Sequence, residues 1–192
     1  MGIVEEAVAV LSRDGIIVYP TETVYGLGAD ALSDYAVERV YETKGRPLSQ
    51  PMSVAVCDTE MLHAIAVVED WQEEFIARFL PGPVTVVLPA KSCLPSILSG
   101  GAGKIGIRIP DNAMALAIIG AFDAPITATS ANLSGKAAPT RPDEVTVVYD
   151  LLIDEGVLPG IPSTVVDLTT CQILRAGRLT EDVARFLAQK GT

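Results

Sequence analysis

Short β-rich apolar runs alternate along this chain with stretches of helical hydrophobic period, and that alternation restricts it to a layered α/β domain. The runs fall at residues 16–19, 52–57, 84–88, 104–108, 126–129, 151–153, 164–168 and 171–175. Amphipathic segments lie between them. Residues 3–13 place Ile3, Val4, Ala7, Val8 and Leu11 on one helical face, with Gly15 beyond the end. Ser33 is the expected cap of a helix burying Ala36, Val37, Val40 and Tyr41. Thr59 is expected to cap a helix through Val67, and Asp70 with Glu73 to open one carrying Trp71, Phe75 and Phe79. Asp111 is expected to cap an apolar helix through Phe122, and Thr180 the last one, with Val183, Ala184 and Leu187 inward. Residues 164–175 read as a hairpin, so the sheet is expected to be mixed. With no internal repeat and no second compositional regime, residues 1–192 are expected to form one domain. A chain of that length buries roughly 70% of its unfolded surface and needs no staple.

One stretch asks for more than layering. It reads Y-P-T-E-T-V-Y-G-L-G from Tyr19, then one helix, then K-G-R-P ending at Pro47. Pro20 cannot donate to a ladder, so the strand at 16–19 leaves its sheet there. Thr21, Glu22 and Thr23 follow, then Gly26 and Gly28, which permit positive φ or the close approach of a ligand. The helix then delivers Lys44 and Arg46. Hydroxyls at a strand end followed by a Lys and Arg pair suit a phosphate-bearing substrate. The same residues also read as a glycine turn and a solvated charge pair, with Lys44 favourable at a helix C-terminus.

Charge bears on what the chain binds. A formal net charge of −10 argues against a protein whose main work is gripping nucleic-acid backbone. Yet Lys44, Arg46, Lys104, Arg108, Arg175 and Arg178 all stand in or beside motif-like blocks, the arrangement of an acidic body with a cationic cleft. Cys57, Cys93 and Cys171 are far apart, with no C-x-x-C, and suggest neither a disulfide framework nor zinc. His63 is the single histidine and sits in an apolar helical stretch, so Ser-His-Asp hydrolysis and histidine-based metal sites have no support. Ala31 stands where G-x-G-x-x-G needs its third glycine. Gly103-Lys104 fails as a phosphate loop, because Leu98 and Ile105 occupy the positions of its first glycine and its Ser or Thr.

The N-terminal segment reads as a helix with Glu5 and Glu6 and not as a signal peptide, and Glu6 breaks the myristoylation pattern after Met1-Gly2. No apolar run is long enough for a bilayer, so the protein is expected to be soluble and cytoplasmic, with no membrane partner. What remains is chemistry by positioning, such as adenylyl transfer, where cations align phosphates and neutralise the leaving pyrophosphate.

P-T-E-T-V-Y-G-L-G followed by K-G-R-P resembles the YrdC family of threonylcarbamoyl-adenylate synthases. P-G-P-V-T at 81–85, I-G-I-R-I-P at 105–110, S-A-N-L-S-G at 130–135 and P-S-T-V-V-D at 162–167 continue the resemblance in order, over nearly the whole chain. It implies a twisted mixed β-sheet flanked by helices with a concave nucleotide cleft, without the extra C-terminal domain of longer relatives. It also implies a reaction: L-threonine, bicarbonate or CO2 and ATP give threonylcarbamoyl-AMP and pyrophosphate. Mg2+ accompanies ATP, and a separate enzyme passes the group on to an adenosine of tRNA.

Position by position, the resemblance assigns Lys44 and Arg46 to the ATP phosphates as the catalytic pair. It assigns Ser130, Asn132 and Arg175 to the nucleotide, and Thr23, Arg108 and Ser163 to threonine. One departure stands out: several relatives carry a histidine where this chain has Ala55, so a contact to threonine must be missing or supplied by another group. The metal ligands are left open. Two other readings are a non-catalytic RNA-binding module, disfavoured by the charge and the lack of an aromatic-basic stripe, and a paralogue making another carbamoyl-adenylate.

Overall fold

The structure, a computed structural model, describes residues 2–190. In chain order the elements are α1 (Ile3–Leu11), β1 (Ile17–Tyr19), β2 (Gly26–Gly28), α2 (Asp34–Lys44), β3 (Val54–Ala55), α3 (Thr59–Ile65), α4 (Asp70–Phe79) and β4 (Val84–Pro89). They continue with β5 (Lys104–Arg108), α5 (Ala113–Phe122), β6 (Ile126–Thr127), β7 (Thr129–Ser130), β8 (Leu151–Leu152), β9 (Thr164–Asp167), β10 (Gln172–Arg175) and α6 (Thr180–Lys190). None of these helices is long and apolar enough to cross a membrane.

The mixed α/β architecture expected from the sequence is present, with its strands shared between two sheets. The smaller runs β7-β2-β1-β8 and the larger β10-β9-β4-β5-β3-β6. Both are mixed: β1 pairs antiparallel with β2 and parallel with β8, while β4 pairs antiparallel with β5 and parallel with β9. The expected hairpin is the β9–β10 pair.

The run at 126–129 does not form one strand. Ile126 and Thr127 pair with β3 in the larger sheet, and Thr129 and Ser130 pair with β2 in the smaller one. Thr127 makes that crossing possible. Its buried hydroxyl donates to the Leu27 carbonyl at 2.9 Å and accepts from the Ala29 N–H at 3.0 Å, adding two side-chain bonds to the backbone bond from Thr127 N–H to the Ala29 carbonyl at 2.9 Å.

Gly26 and Gly28 belong to a strand and not to a turn. Their role is close approach to a ring of their own chain. A Cβ on Gly26 would lie 2.8 Å from Tyr19 Cζ, and one on Gly28 3.0 Å from a Tyr19 ring carbon. Tyr19 is therefore sealed under β2.

Alternation along the strands divides the core. Ile17 and Tyr19 face an apolar cluster with Ala7, Leu11, Ile118 and Ile126, while Val18 faces a larger one that includes Leu27, Val86 and Phe75. In β3, Ala55 joins the first cluster and Val54 the second. Each fully buried Ile or Phe of this kind contributes about 1.5–3 kcal/mol over its exposed state.

Several helix starts move by one residue. Ser33 caps α2 as expected, accepting from Ala36 N–H. The cap of α3 is Asp58 in place of Thr59, with Oδ1 accepting from Met61 N–H at 2.8 Å, and α3 closes at Ile65, short of Val67. The cap of α5 is Asn112 in place of Asp111, accepting from Ala115 N–H at 2.9 Å. At α4, Glu69 and Gln72 take the parts expected of Asp70 and Glu73. In each case two adjacent polar residues could cap, and the one already extended does so.

Candidate active site

The two sheets meet around a cleft of about 210 Å3. Thr21, Thr23, Arg46, Ser53, Thr85, Arg108, Ser130, Ser163 and Arg175 supply its polar wall. Among the described residues that line it, none is acidic.

The chain leaves β1 at Pro20 and closes a hydroxyl turn. Thr21 Oγ1 accepts from the N–H groups of Thr23 at 3.1 Å and Val24 at 3.2 Å, and donates to the Val24 carbonyl at 2.7 Å. Its one hydrogen is thus committed, so in the 2.8 Å contact between the two hydroxyls Thr23 is the donor. The lone pairs of Thr23 Oγ1 remain for Arg108, whose Nη1 stands 3.4 Å away.

Arg108 ends β5, where Ile105 and Ile107 point into the core and Arg108 into the cleft. Its Nη2 donates to Glu22 Oε1, and both side chains are only 11% exposed. Arg108 Nε, Glu22 Oε2 and Asn132 Oδ1 are buried without a partner. An unpaired buried polar group costs about 1–3 kcal/mol.

Arg175 reaches the cleft because the pairing of β10 with β9 shifts register between Ile173 and Arg175. Its Nη2 donates to both the carbonyl and the hydroxyl of Ser163, each at 2.9 Å, and that hydroxyl lies 2.9 Å from Thr85 Oγ1. Burial, and then the like charge of Arg108, lower the pKa of Arg175 from its ordinary value.

Helix α2 ends at Gly45, in the left-handed region at φ 57°, with Arg46 N–H donating to the Tyr41 carbonyl at 2.9 Å. That turn sends the two cations apart. Arg46 goes to the cleft, where its Nη2 donates to the Pro51 carbonyl at 2.7 Å. Lys44 turns inward and is 2% exposed. Its Nζ donates to the carbonyls of Ser130 and Asn132, the latter at 2.6 Å, and its own carbonyl accepts from Ser134 N–H. Burial, then the charge of Arg46, lower its pKa to about 8.

Thr23, Arg46, Arg108, Ser130, Ser163 and Arg175 therefore converge on one cleft, as residues 23 to 175 of a single wall. Lys44 and Asn132 stand behind it. The Asn132 amide donates to the carbonyls of Leu133 at 2.8 Å and Lys136 at 2.9 Å, so it shapes the loop that carries Ser130. Ala55 is 1% exposed in the apolar cluster with Tyr19, while Ser53, two residues earlier, lines the cleft. The sequence singled out Thr21 and Glu22 only as part of the motif block, without a site role, and left out Ser53 and Thr85. The signal for Glu22 was present, as the only acidic residue of the T-E-T turn. Among the described residues no three His, Cys, Asp or Glu side chains gather as a metal site.

The family model Sua5/YciO/YrdC, described as "Telomere recombination", matches residues 9–177. A threonylcarbamoyl-AMP synthase of Pyrococcus abyssi is 38% identical over 187 residues, 92% of this chain and 55% of its own length. One from Escherichia coli is 34% identical over 180 residues, 89% of this chain and 94% of its own. The crystal structure of P. abyssi Sua5 complexed with L-threonine superposes with a TM-score of 0.90 at 36% identity, covering 95% of this chain and 56% of that one. The chain spans about half the length of the P. abyssi and Bacillus subtilis relatives. With the model matched from residue 9 to residue 177 and identity sustained over nearly all of the E. coli relative, this chain belongs to the Sua5/YciO/YrdC family.

Proposed function

We propose that this chain is a threonylcarbamoyl-AMP synthase, a nucleotidyltransferase joining L-threonine, bicarbonate or CO2 and ATP. The observation that carries the reading is the convergence of Arg46, Arg108 and Arg175 with the hydroxyls of Thr23, Ser130 and Ser163 on one cleft of a protein with net charge −10. Such a wall holds anions at both ends and offers donors between. Its relatives bear the same activity in their names, and one was solved with threonine bound.

In this reading the carbamate oxygen of N-carboxylated threonine attacks the α-phosphorus of ATP. A P–O bond forms there as the bond to pyrophosphate breaks. Arg46 and Ser130 hold the phosphates. Arg108 and Thr23 hold the amino acid, Ser163 completes that end, and Arg175 both fixes Ser163 and faces the nucleotide. Lys44, buried behind the wall, orders the loop of Ser130 and Asn132 through their carbonyls and so acts on the phosphate end through that loop. Mg2+ enters as part of the ATP substrate, held by phosphate oxygens, in keeping with a wall free of carboxylates. Residues 1–192 act as one domain in the cytoplasm, and tRNA receives the group through a downstream transferase.

The test is pyrophosphate release from MgATP with threonine and bicarbonate each omitted in turn. Release that needs both, with serine a poor substitute, is the expected result. Release with a different amino acid would move the substrate, and no release under any combination would overturn the enzyme reading.

A further inference from the structure

We propose that Ser53 is a substrate-binding residue whose hydroxyl holds the N-carboxyl group of the reacting carbamate, between the two ends of the cleft. The inference rests on the synthase reading above and adds to it a place for the one-carbon unit.

Strand period puts Ser53 on the cleft side of the larger sheet. Val54, Val84, Val86, Ile105 and Ile107 face the larger apolar cluster, so Ser53, Thr85 and Gly106 face the other way. Ser53 and Thr85 both line the cleft. Gly106 carries no side chain, and the Ser53 hydroxyl takes that space. A Cβ on Gly106 would lie 2.5 Å from Ser53 Oγ and 3.3 Å from Thr85 Cγ2. Glycine inside a strand weakens it, and here it leaves room for that hydroxyl. The backbone below is fixed, because the Ser53 carbonyl accepts from Ala128 N–H at 2.7 Å. The hydroxyls of Thr85 and Ser163 bind each other at 2.9 Å, and that of Thr21 closes its own turn. The Ser53 hydroxyl makes no hydrogen bond among the described residues.

The neighbours of Ser53 decide what it meets. On one side is Pro51, whose carbonyl holds Arg46 Nη2 at 2.7 Å at the phosphate end. On the other runs β5, which pairs with β3 and ends at Arg108, the partner of the amino-acid carboxylate in this reading. The group that must bridge those ends is the N-carboxyl group, one oxygen of which attacks the α-phosphorus. An arginine paired with that oxygen would stabilise its charge before the reaction as well as during it, which adds nothing to the rate. A neutral hydroxyl donating to the other oxygen aims the group and leaves the nucleophile free. Ser53 keeps its proton throughout. The bonds that change are the P–O bond formed and the P–O bond to pyrophosphate broken.

The experiment follows pyrophosphate release against bicarbonate concentration, at saturating threonine and MgATP, for wild type, Ser53→Ala and Ser53→Thr. Threonine affinity is read separately by calorimetry in degassed, bicarbonate-free buffer, with far-UV circular dichroism as a check of folding. The carbamate forms from threonine and bicarbonate, so a weaker hold on it appears as a higher bicarbonate requirement. Ser53→Ala is expected to raise that requirement by about tenfold while threonine affinity stays within about twofold. Ser53→Thr keeps the hydroxyl and is expected to retain most of the hold. Gly106→Ala displaces the hydroxyl and is expected to act like Ser53→Ala, with little further effect in the double variant.

A Ser53→Ala chain with the wild-type bicarbonate requirement overturns the proposal. So does one that weakens threonine alone by the same factor, which would place Ser53 at the amino-acid end. Where Ser53→Ala does not fold, Gly106→Ala decides on the same two readouts. A wild type that releases no pyrophosphate, or releases it without bicarbonate, overturns the synthase reading and this inference with it. A wild type that needs bicarbonate, beside an unaffected Ser53→Ala, overturns this inference alone.

Discussion

Arg175 grips Ser163 twice through one nitrogen, donating to its carbonyl and its hydroxyl at 2.9 Å each. The contact ties β10 to the segment before β9 and sets the direction of the Ser163 hydroxyl toward Thr85. Arg175→Lys keeps the charge and loses the fixed fork in which Nε also donates to the Ser163 carbonyl, at 3.3 Å, and holds Nη2 in place. Turnover measured by pyrophosphate release is expected to fall by roughly tenfold, with the fold retained. Wild-type turnover would show that Ser163 needs no such hold.

Arg108→Lys is the corresponding test at the other end of the cleft. A lysine cannot reach Glu22 and Thr23 together. The KM for threonine is expected to rise by about tenfold or more, with the KM for ATP changed by less than about twofold. Equal effects on both substrates would count against Arg108 as the carboxylate partner.

Lys44 makes stability depend on pH in a defined window. Its pKa in the folded chain is about 8, against 10.5 for the ordinary side chain. Between those values the unfolded chain holds more protons than the folded one, so the contribution of Lys44 to stability rises with pH there and is flat below it. Urea unfolding of wild type and Lys44→Met at about pH 7, 9 and 10, one value below that window and two inside it, is expected to show the wild type gaining on the variant as pH rises. The difference is the useful quantity, because burial raises the pKa values of Tyr19, Tyr25 and Tyr41 and these act in the opposite sense at high pH. A constant difference would rule out a perturbed Lys44.

Gly26→Ala places a methyl group 2.8 Å from Tyr19 Cζ, closer than a Cβ contact allows, against a ring that is 1% exposed. A loss of about 1–3 kcal/mol is expected, as for other overpacked sites, read as a lower Tm. An unchanged Tm would mean that β2 can lift away from the ring.

The capping shift at α3 separates two neighbours. Asp58→Ala removes the acceptor of Met61 N–H and is expected to cost about 1 kcal/mol, while Thr59→Ala is expected to be near neutral. Denaturant midpoints of the two variants check this, and the reverse order would return the cap to Thr59.

Much of this molecule was legible from local signals. The periods that place α2, α5, β4 and β5 act over a few residues, and so do Pro20, which ends β1, and Gly45, which releases Arg46 from its helix. Cap positions were legible to within one residue, because Asp58 and Thr59 are both good caps and only the backbone entering the helix chooses between them.

The amino-acid sequence by itself determined the alternation of strand and helix, the order of the motif blocks, and the residue types that could face an anion. The tertiary structure alone decided which of them do. Lys44 and Arg46 are two residues apart, yet one is buried against loop carbonyls and the other lines the cleft. That choice depends on where the chain returns at Ser130. Likewise Glu22 and Arg108 are 86 residues apart, and no local pattern signals their pairing. The switch of sheets at Ala128 depends on a Thr127 hydroxyl meeting β2 about a hundred residues away, at a separation of 100 residues from Leu27. Secondary structure follows from short-range sterics and period, whereas a buried ion pair exists only where packing has already paid the cost of removing both charges from water.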